Sequence, residues 1–348
     1  MATQPAGHEA VKEMDMAGAD GVEKLEDAIV RSAEQVAGQI KAAKEAISTV
    51  IFGQERVIEN TLVTILSGGH ALLIGVPGLA KTKLVETLGI TLGLDAKRIQ
   101  FTPDLMPSDI LGAEVLDESN SGKRSFRFIS GPVFAQLLMA DEINRASPRT
   151  QSALLQAMQE QHITVAGARH DLPKPFHVLA TQNPLEQEGT YPLPEAQLDR
   201  FLMEIDVDYP DRDAERRILF ETTGADETLA KASMNAEILI TAQRLVRRLP
   251  VGDSVVEAIL SLVRSARPNT DGEGDKLIAW GPGPRASQSL MLAVRARALL
   301  DGRLAPSIDD VLDLAEPVLK HRMALTFSAR AEGRTIPDVI RQLKTRIG

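Results

Sequence analysis

The chain has 348 residues, a formal net charge of −9 and only 3% aromatic residues. That length implies two or three domains with ample core, resting on Leu, Ile, Val and Ala rather than on aromatic rings. The acidic balance disfavours bulk duplex binding, which needs many phosphate contacts, and the lack of cysteine excludes disulfides, thiolate metal sites and a cysteine nucleophile.

In chain order, residues 1–22 are polar, acidic and rich in Ala and Gly, the composition of a disordered or loosely helical tail. Met1 to Ala19 has neither the basic nor the apolar region of a signal peptide, and no apolar run approaches the ~20 residues that span a bilayer. A cytoplasmic protein without a membrane span is the expectation. From Glu23 onward, Ile29, Ala33, Val36, Ile40, Ala43 and Ile47 recur at helical spacing and put one apolar stripe on a helix ending near Ser48. Residues 50–210 then alternate short apolar runs with helix patterns. Strands are expected near Ala71–Ile74, Arg98–Thr102, Gln136–Ala140, His177–Thr181 and Phe201–Val207, and helices near 54–67, 82–93 and 148–161. Ser147 followed by Pro148 is a good start signal for the last of these. Such alternation predicts a parallel sheet covered by helices. Glu114–Phe128 and Ile163–Phe176 interrupt it and read as inserted β-hairpins, the second turning at Ala166-Gly167; surface loops are the alternative. Beyond Asp211, helix patterns dominate near 212–223, 235–249, 253–266, 285–301 and 307–325, with a break at Asn269–Gly274. The expected division is a tail over 1–22, a leading helix and α/β domain over 23–225, and a helical domain over 226–348.

The chemistry concentrates where strands end. Gly75-Val76-Pro77-Gly78-Leu79-Ala80-Lys81-Thr82 joins the first strand to a helix, the setting in which a Gly-rich loop cradles phosphate. Backbone N–H groups and the helix N-terminus face the anion. Lys81 adds a positive charge for the β- and γ-phosphates, and Thr82 offers a hydroxyl to Mg²⁺. Ala80 stands where a last glycine is usual, and its methyl group bars backbone angles that only glycine adopts. Gln136–Ala140 ends in Asp141-Glu142, two carboxylates at the sheet edge where open α/β sheets bind ligands. Asp141 can hold Mg²⁺ through water, and Glu142 can take a proton from an attacking water. His177–Thr181 runs into Gln182-Asn183-Pro184. Asn183 can orient that water or sense the γ-phosphate, or it can close an Asn-Pro turn. Arg200, directly before a strand, can offer its fork to phosphate oxygens or pair with Asp199 or Asp206. Arg285 opens a helix, where a cation opposes the dipole. It reaches phosphate only if the helical half folds over the nucleotide.

Together these segments resemble AAA+ ATPases and, within them, the MoxR family, over about residues 45–348. Gly75–Thr82 resembles the family's Walker A loop with Ala80 included. Phe101-Thr102-Pro103-Asp104-Leu105-Met106-Pro107-Ser108-Asp109 resembles its post-strand signature, and Ala140-Asp141-Glu142-Ile143-Asn144-Arg145-Ala146 its Walker B. Ala180-Thr181-Gln182-Asn183-Pro184 resembles sensor 1, Leu198-Asp199-Arg200-Phe201 the arginine-finger segment, Pro284-Arg285-Ala286 sensor 2, and Val318-Leu319-Lys320-His321-Arg322 a lid motif. The resemblance implies a P-loop NTPase core with two hairpin inserts plus an all-α lid. It further implies ATP with Mg²⁺, Gly53 and Gln54 near the adenine, and Glu142, Asn183, Arg200 and Arg285 as catalytic groups. A ring is implied, most often a hexamer, with Arg200 acting on a neighbour's γ-phosphate. MoxR proteins resemble chaperone-like motors that work with a von Willebrand A domain partner to mature metalloenzymes or assemble complexes. Two other readings stand beside this one. A nucleic-acid-stimulated motor of the same helix-2-insert clade is disfavoured by the few cations of the inserts. A nucleotide-gated binding module with weak turnover is the other.

Overall fold

A computed structural model describes residues 19–118, 124–186, 189–224, 229–268 and 275–347. The expected tail up to residue 18, the first hairpin's tip around residue 120, the boundary at 225–226 and the break at 269–274 lie outside the described residues. The elements are α1 (Ala19–Ser48), α2 (Glu55–Leu66), β1 (Ala71–Ile74), α3 (Lys81–Leu92), β2 (Ala96–Gln100), α4 (Pro107–Leu111), β3 (Gly112–Glu118), β4 (Arg124–Ser130), β5 (Leu137–Asp141), α5 (Pro148–Glu160), β6 (His162–Val165), β7 (Ala168–Asp171), β8 (His177–Gln182), α6 (Glu195–Leu198) and β9 (Met203–Asp206). The chain continues through α7 (Arg212–Thr223), α8 (Ala236–Arg248), α9 (Asp253–Ser265), β10 (Ile278–Trp280), α10 (Pro284–Leu300), α11 (Ile308–Leu319), β11 (Ala324–Leu325), α12 (Phe327–Ala331) and α13 (Ile336–Lys344). Helix α1 begins at Ala19 rather than Glu23, so the end of the expected tail is helical. Extending a formed helix adds one hydrogen bond per residue fixed.

The five strands of the main sheet are all parallel, in the order β2-β5-β8-β1-β9. Strand period 2 explains how so few residues bury both faces. Ala71 and Leu73, Leu137 and Met139, and Leu179 face one core, shared with α1, α2, α3 and the helical domain. Leu72, Leu138, Ala140, Val178 and Ala180 face the other, filled by α5 and the inserts. Both expected hairpins form: β3 pairs β4 antiparallel with Leu116 opposite Phe126, and β6 pairs β7. The second turns at Ala166 (φ 47°) and Gly167 (φ 83°), as its sequence predicts. The hairpins touch where Phe128 stacks on His170, ring centroids 3.9 Å apart. Ser147 caps α5 by accepting from the Thr150 N–H.

Residues 307–325 do not form one helix. Helix α11 stops at Leu319, and Lys320–Arg322 tighten into a 3₁₀ turn whose three side chains are buried. Pro317 lies within α11 and does not end it; the turn is held by its buried polar side chains, His321 and Arg322 bonding to the segment that leads into β9 and Lys320 pairing with Asp206 of β9 itself.

Two histidines at the sheet edge opposite the phosphate loop make stability pH-dependent. His70 Nδ1 accepts from the Val178 N–H at 2.9 Å, which leaves its Nε2–H for the Met158 carbonyl. His177 bridges the Gly69 carbonyl (2.8 Å) and the Gln243 side chain of α8 (3.0 Å). Burial lowers His70 to about 3, with His177 adding to the effect, and burial lowers His177 to about 4. With folded-state values below the unfolded one, the unfolded chain takes up protons first as pH falls. Stability is therefore intact above about pH 6.5 and is lost below it, by up to ~1.4 kcal/mol per pH unit for each histidine. Melting temperature is expected to drop by several degrees between about pH 7.5 and about pH 5. Scanning calorimetry checks this, and a flat profile over that range refutes it.

Candidate functional site

The phosphate loop leaves β1 at Gly75. A side chain there has no room, since an added Cβ would lie 2.6 Å from the Val207 carbonyl oxygen. The loop then reaches Ala80 at φ 57°, ψ 18°. These are left-handed helical angles, which an L residue adopts at a cost of ~1–2 kcal/mol. Alanine therefore suffices where glycine is usual. Lys81 opens α3 and donates to the carbonyls of Gly75 and Val76, the latter at 2.9 Å. Partial burial lowers its ammonium from the ordinary value, opposed by the Asp141 and Glu142 carboxylates.

Strands β5 and β8 bring the acids and the amide to the same edge. Gly78, Ala80, Lys81, Thr82, Asp141, Glu142, Thr181 and Asn183 line one cavity of about 470 Å³. Asp141 accepts from the Thr181 hydroxyl at 2.5 Å and pairs with Arg98 of β2, whose Nη2 lies 2.5 Å from its other oxygen. Glu142 sits at φ 54°. Its Oε2 accepts from the Gln100 amide at 2.7 Å and from Arg145 at 2.9 Å. Asn183 closes a local turn, its Oδ1 accepting from the Leu185 N–H at 3.1 Å, while lining the cavity. The turn and the site role are thus compatible: the turn occupies the oxygen and leaves the amide hydrogens as donors. Arg98 and Gln100 stand out only once β2 pairs with β5.

The loop residues Pro77, Gly78, Leu79 and Ala80 also border a larger cavity of about 960 Å³ with Ile51, Phe52, Gln54 and Leu219. It adjoins the cavity around Lys81 through these shared loop residues. Gln54 is held in place by donating to the Asp208 carbonyl at 2.8 Å. Gly53 borders a smaller cavity of about 330 Å³ instead. Its φ of 68° and a Cβ that would meet Ala214 at 2.5 Å both require glycine.

Arg200 and Arg285 are not at the phosphate loop of their own chain. They line a third cavity of about 250 Å³ together with Asp199 and Ser289. The condition on which Arg285 would reach phosphate within its own chain, the helical half folding over the loop, is not met: Arg285 Nη1 lies 3.7 Å from an Asp199 oxygen. The α10 helix starts beside the segment that leads into β9, and this places the side chain there. Among the described residues Arg200 forms no ion pair. Asp199 is taken by Arg322 and Arg285, and Asp206 by Lys320.

The oxygen donors at the first cavity, the Thr82 hydroxyl and the Asp141 carboxylate, suit Mg²⁺. Among the described residues no group of three or more His, Asp or Glu forms a dedicated metal cage.

The family model for the ATPase family associated with various cellular activities (AAA) matches residues 70–203, and that for the AAA lid domain matches 275–343. Chaperone MoxR1 of Mycobacterium tuberculosis is 41% identical over 314 residues, covering 88% of this chain and 82% of the relative. Protein MoxR of Paracoccus denitrificans is 31% identical over 309 residues, covering 83% and 89%. A crystal structure of a Cytophaga hutchinsonii protein superposes with a TM-score of 0.84 at 36% identity, covering 92% of this chain and 97% of that one. With the parallel sheet, the phosphate loop and the helical lid, these similarities establish that the chain belongs to the MoxR family of AAA+ ATPases.

Proposed function

We propose that the protein is an ATP-driven remodelling motor for protein complexes, working as a ring of six subunits. The observation that carries the proposal is the single cavity shared by Lys81, Thr82, Asp141, Glu142 and Asn183. Bound ATP would place its phosphates on the loop and its adenine in the adjoining cavity beside Gln54. Lys81 would then exchange the Gly75 and Val76 carbonyls for phosphate oxygens. Thr82 and Asp141 would hold Mg²⁺, which offsets phosphate charge. Glu142 would accept the proton of the attacking water, held in place by Gln100 and Arg145. Asn183 would donate from its amide to the γ-phosphate or that water. Arg200, with Arg285 beside it, would reach the γ-phosphate of a neighbouring subunit and stabilise the charge that develops there. A hydrolysis step split between subunits lets each turnover move one subunit against the next.

A protein client is favoured over nucleic acid by the inserts. Arg124, Arg127 and Arg169 are paired with Glu118, Asp117 and Asp171, and Leu116 and Phe126 are exposed at 55% and 71%. The relative described as a chaperone supports the same choice. A von Willebrand A domain partner, a role in metalloenzyme maturation and a cytoplasmic location complete the proposal. They draw on the family resemblance and on the cysteine-free sequence. A nucleotide-gated binding module with weak turnover gains support from the Arg98–Asp141 pair, which must open for a metal to reach Asp141. Steady-state ATPase rates with and without a partner separate the two.

The test of the nucleotide site is Lys81→Ala. Its ammonium is the positive charge that the loop holds, bonded to the Gly75 and Val76 carbonyls, and its loss is expected to abolish ATP binding in a calorimetric titration at micromolar protein. Near-normal affinity would overturn the assignment. No helix among the described residues is long and apolar enough to cross a membrane.

A further inference from the structure

Arg322 is 1% exposed, and its side chain is among the largest fully buried ones. Its Nε donates to Asp199 Oδ1 at 2.7 Å. Its Nη1 donates to the Leu202 carbonyl at 3.2 Å and to the Val318 carbonyl. Its Nη2 donates to the Phe201 carbonyl at 2.7 Å, the Asp199 carbonyl at 3.3 Å and the Ser289 hydroxyl at 3.3 Å. The guanidinium's five N–H donors are thus all committed. Three of the carbonyls belong to residues 199, 201 and 202, which bracket Arg200. Ser289 lies one turn along the helix that Arg285 opens, and the second oxygen of Asp199 faces Arg285 at 3.7 Å. One buried fork therefore ties the backbone on both sides of Arg200 to the helix that carries Arg285. His321 reinforces it by hydrogen bonding to the Phe201 carbonyl at 3.1 Å.

We propose that Arg322 is the positioning residue of a two-arginine surface: through Asp199 and Ser289 it sets Arg200 and Arg285 as one rigid unit facing the neighbouring subunit's nucleotide. The inference rests on the proposal that Arg200 acts between subunits. The chemistry requires arginine. A lysine beside Asp199 keeps the charge, but its three donors on a single nitrogen cannot span carbonyls, carboxylate and hydroxyl in one plane. None of these groups lines the phosphate-loop cavity of the same chain. The role is therefore separable from binding of the subunit's own nucleotide.

Arg322→Lys is the test. Arg322→Ala would strip Asp199 of its buried counter-charge and is expected to unfold the seam. Arg322→Lys is expected to bind a fluorescent ATP analogue within about twofold of the parent while kcat falls ~10²-fold, the scale of a misplaced catalytic group. Mixed with Glu142→Gln subunits, it should regain turnover, because the mixture pairs its intact Glu142 with an intact arginine surface next door. A role confined to its own fold would lower its own ATP affinity and give no recovery. Asp199→Asn, equal in size and lacking the charge that both arginines share, should repeat the pattern and serves if Arg322→Lys fails to fold. Arg200→Ala mixed with Glu142→Gln runs alongside. Recovery there with none for Arg322→Lys or Asp199→Asn overturns the positioning role alone. Recovery in none of the mixtures overturns the between-subunit reading and this inference with it.

Discussion

Glu142→Gln is expected to bind ATP as the parent chain does and to lose turnover by ~10²–10⁴, the usual worth of a positioned general base. An amide of the same shape keeps its place beside Gln100 but cannot accept the proton of water. The fold should tolerate the change. The pair with Arg145 is half-exposed at 42% on the arginine side, and ion pairs of that kind contribute ~0–1 kcal/mol. The strained φ of 54° is shared by both residues and cancels in the comparison. Equilibrium binding together with a steady-state phosphate-release assay checks the outcome. Affinity and turnover falling together would make Glu142 a structural residue.

The sheet was readable because its strands are short apolar runs ending in functional residues. Ala71–Ile74 coincides with the observed β1, and the other four strands shift by one or two residues at their ends. Caps made helices readable as well: Asp211 accepts from the Ala214 N–H and starts α7 where the pattern predicts. The C-terminal helix α13, absent from the expected elements, has its own start signal, the reciprocal pair Thr335 and Asp338 followed by buried Val339, Ile340 and Leu343. The short β10–β11 pair had none. Its partners, Ile278 and Leu325, meet only after the helical domain has folded.

The site divides the same way. Lys81, Thr82, Asp141, Glu142 and Asn183 sit in contiguous motifs, each placed by a strand that ends at one sheet edge. Arg98 and Gln100 read as strand residues, because β2 is separated from β5 by the whole of the first insert. Their partners appear only through the parallel register that sets Gln100 opposite Asp141. The place of Arg285 was not legible for a related reason. Its distance along the chain says nothing about which face of the α/β domain the lid covers; in the structure Arg322 and Arg285 of the helical half both meet Asp199.

Arg200→Ala is expected to lose ~10³–10⁵ in turnover while each subunit still binds ATP, because such an arginine stabilises charge on the transferring phosphoryl group more than the bound ground state. Its cavity is separate from the one around Lys81, so binding within one chain does not involve it. Action between subunits makes a sharper prediction. Arg200→Ala and Glu142→Gln subunits are each inactive alone. In a head-to-tail ring every site combines one subunit's Glu142 with its neighbour's Arg200. Random equal mixing leaves about a quarter of interfaces with both groups intact, so turnover should return to as much as about a quarter of the parent value. An arginine acting within its own chain could complete no site in any mixture. Absence of recovery, with mixed assembly confirmed by cross-linking, would refute the between-subunit role. Arg145 or Arg149, which follow the Asp141-Glu142 pair closely in sequence, would then be the next residues to substitute.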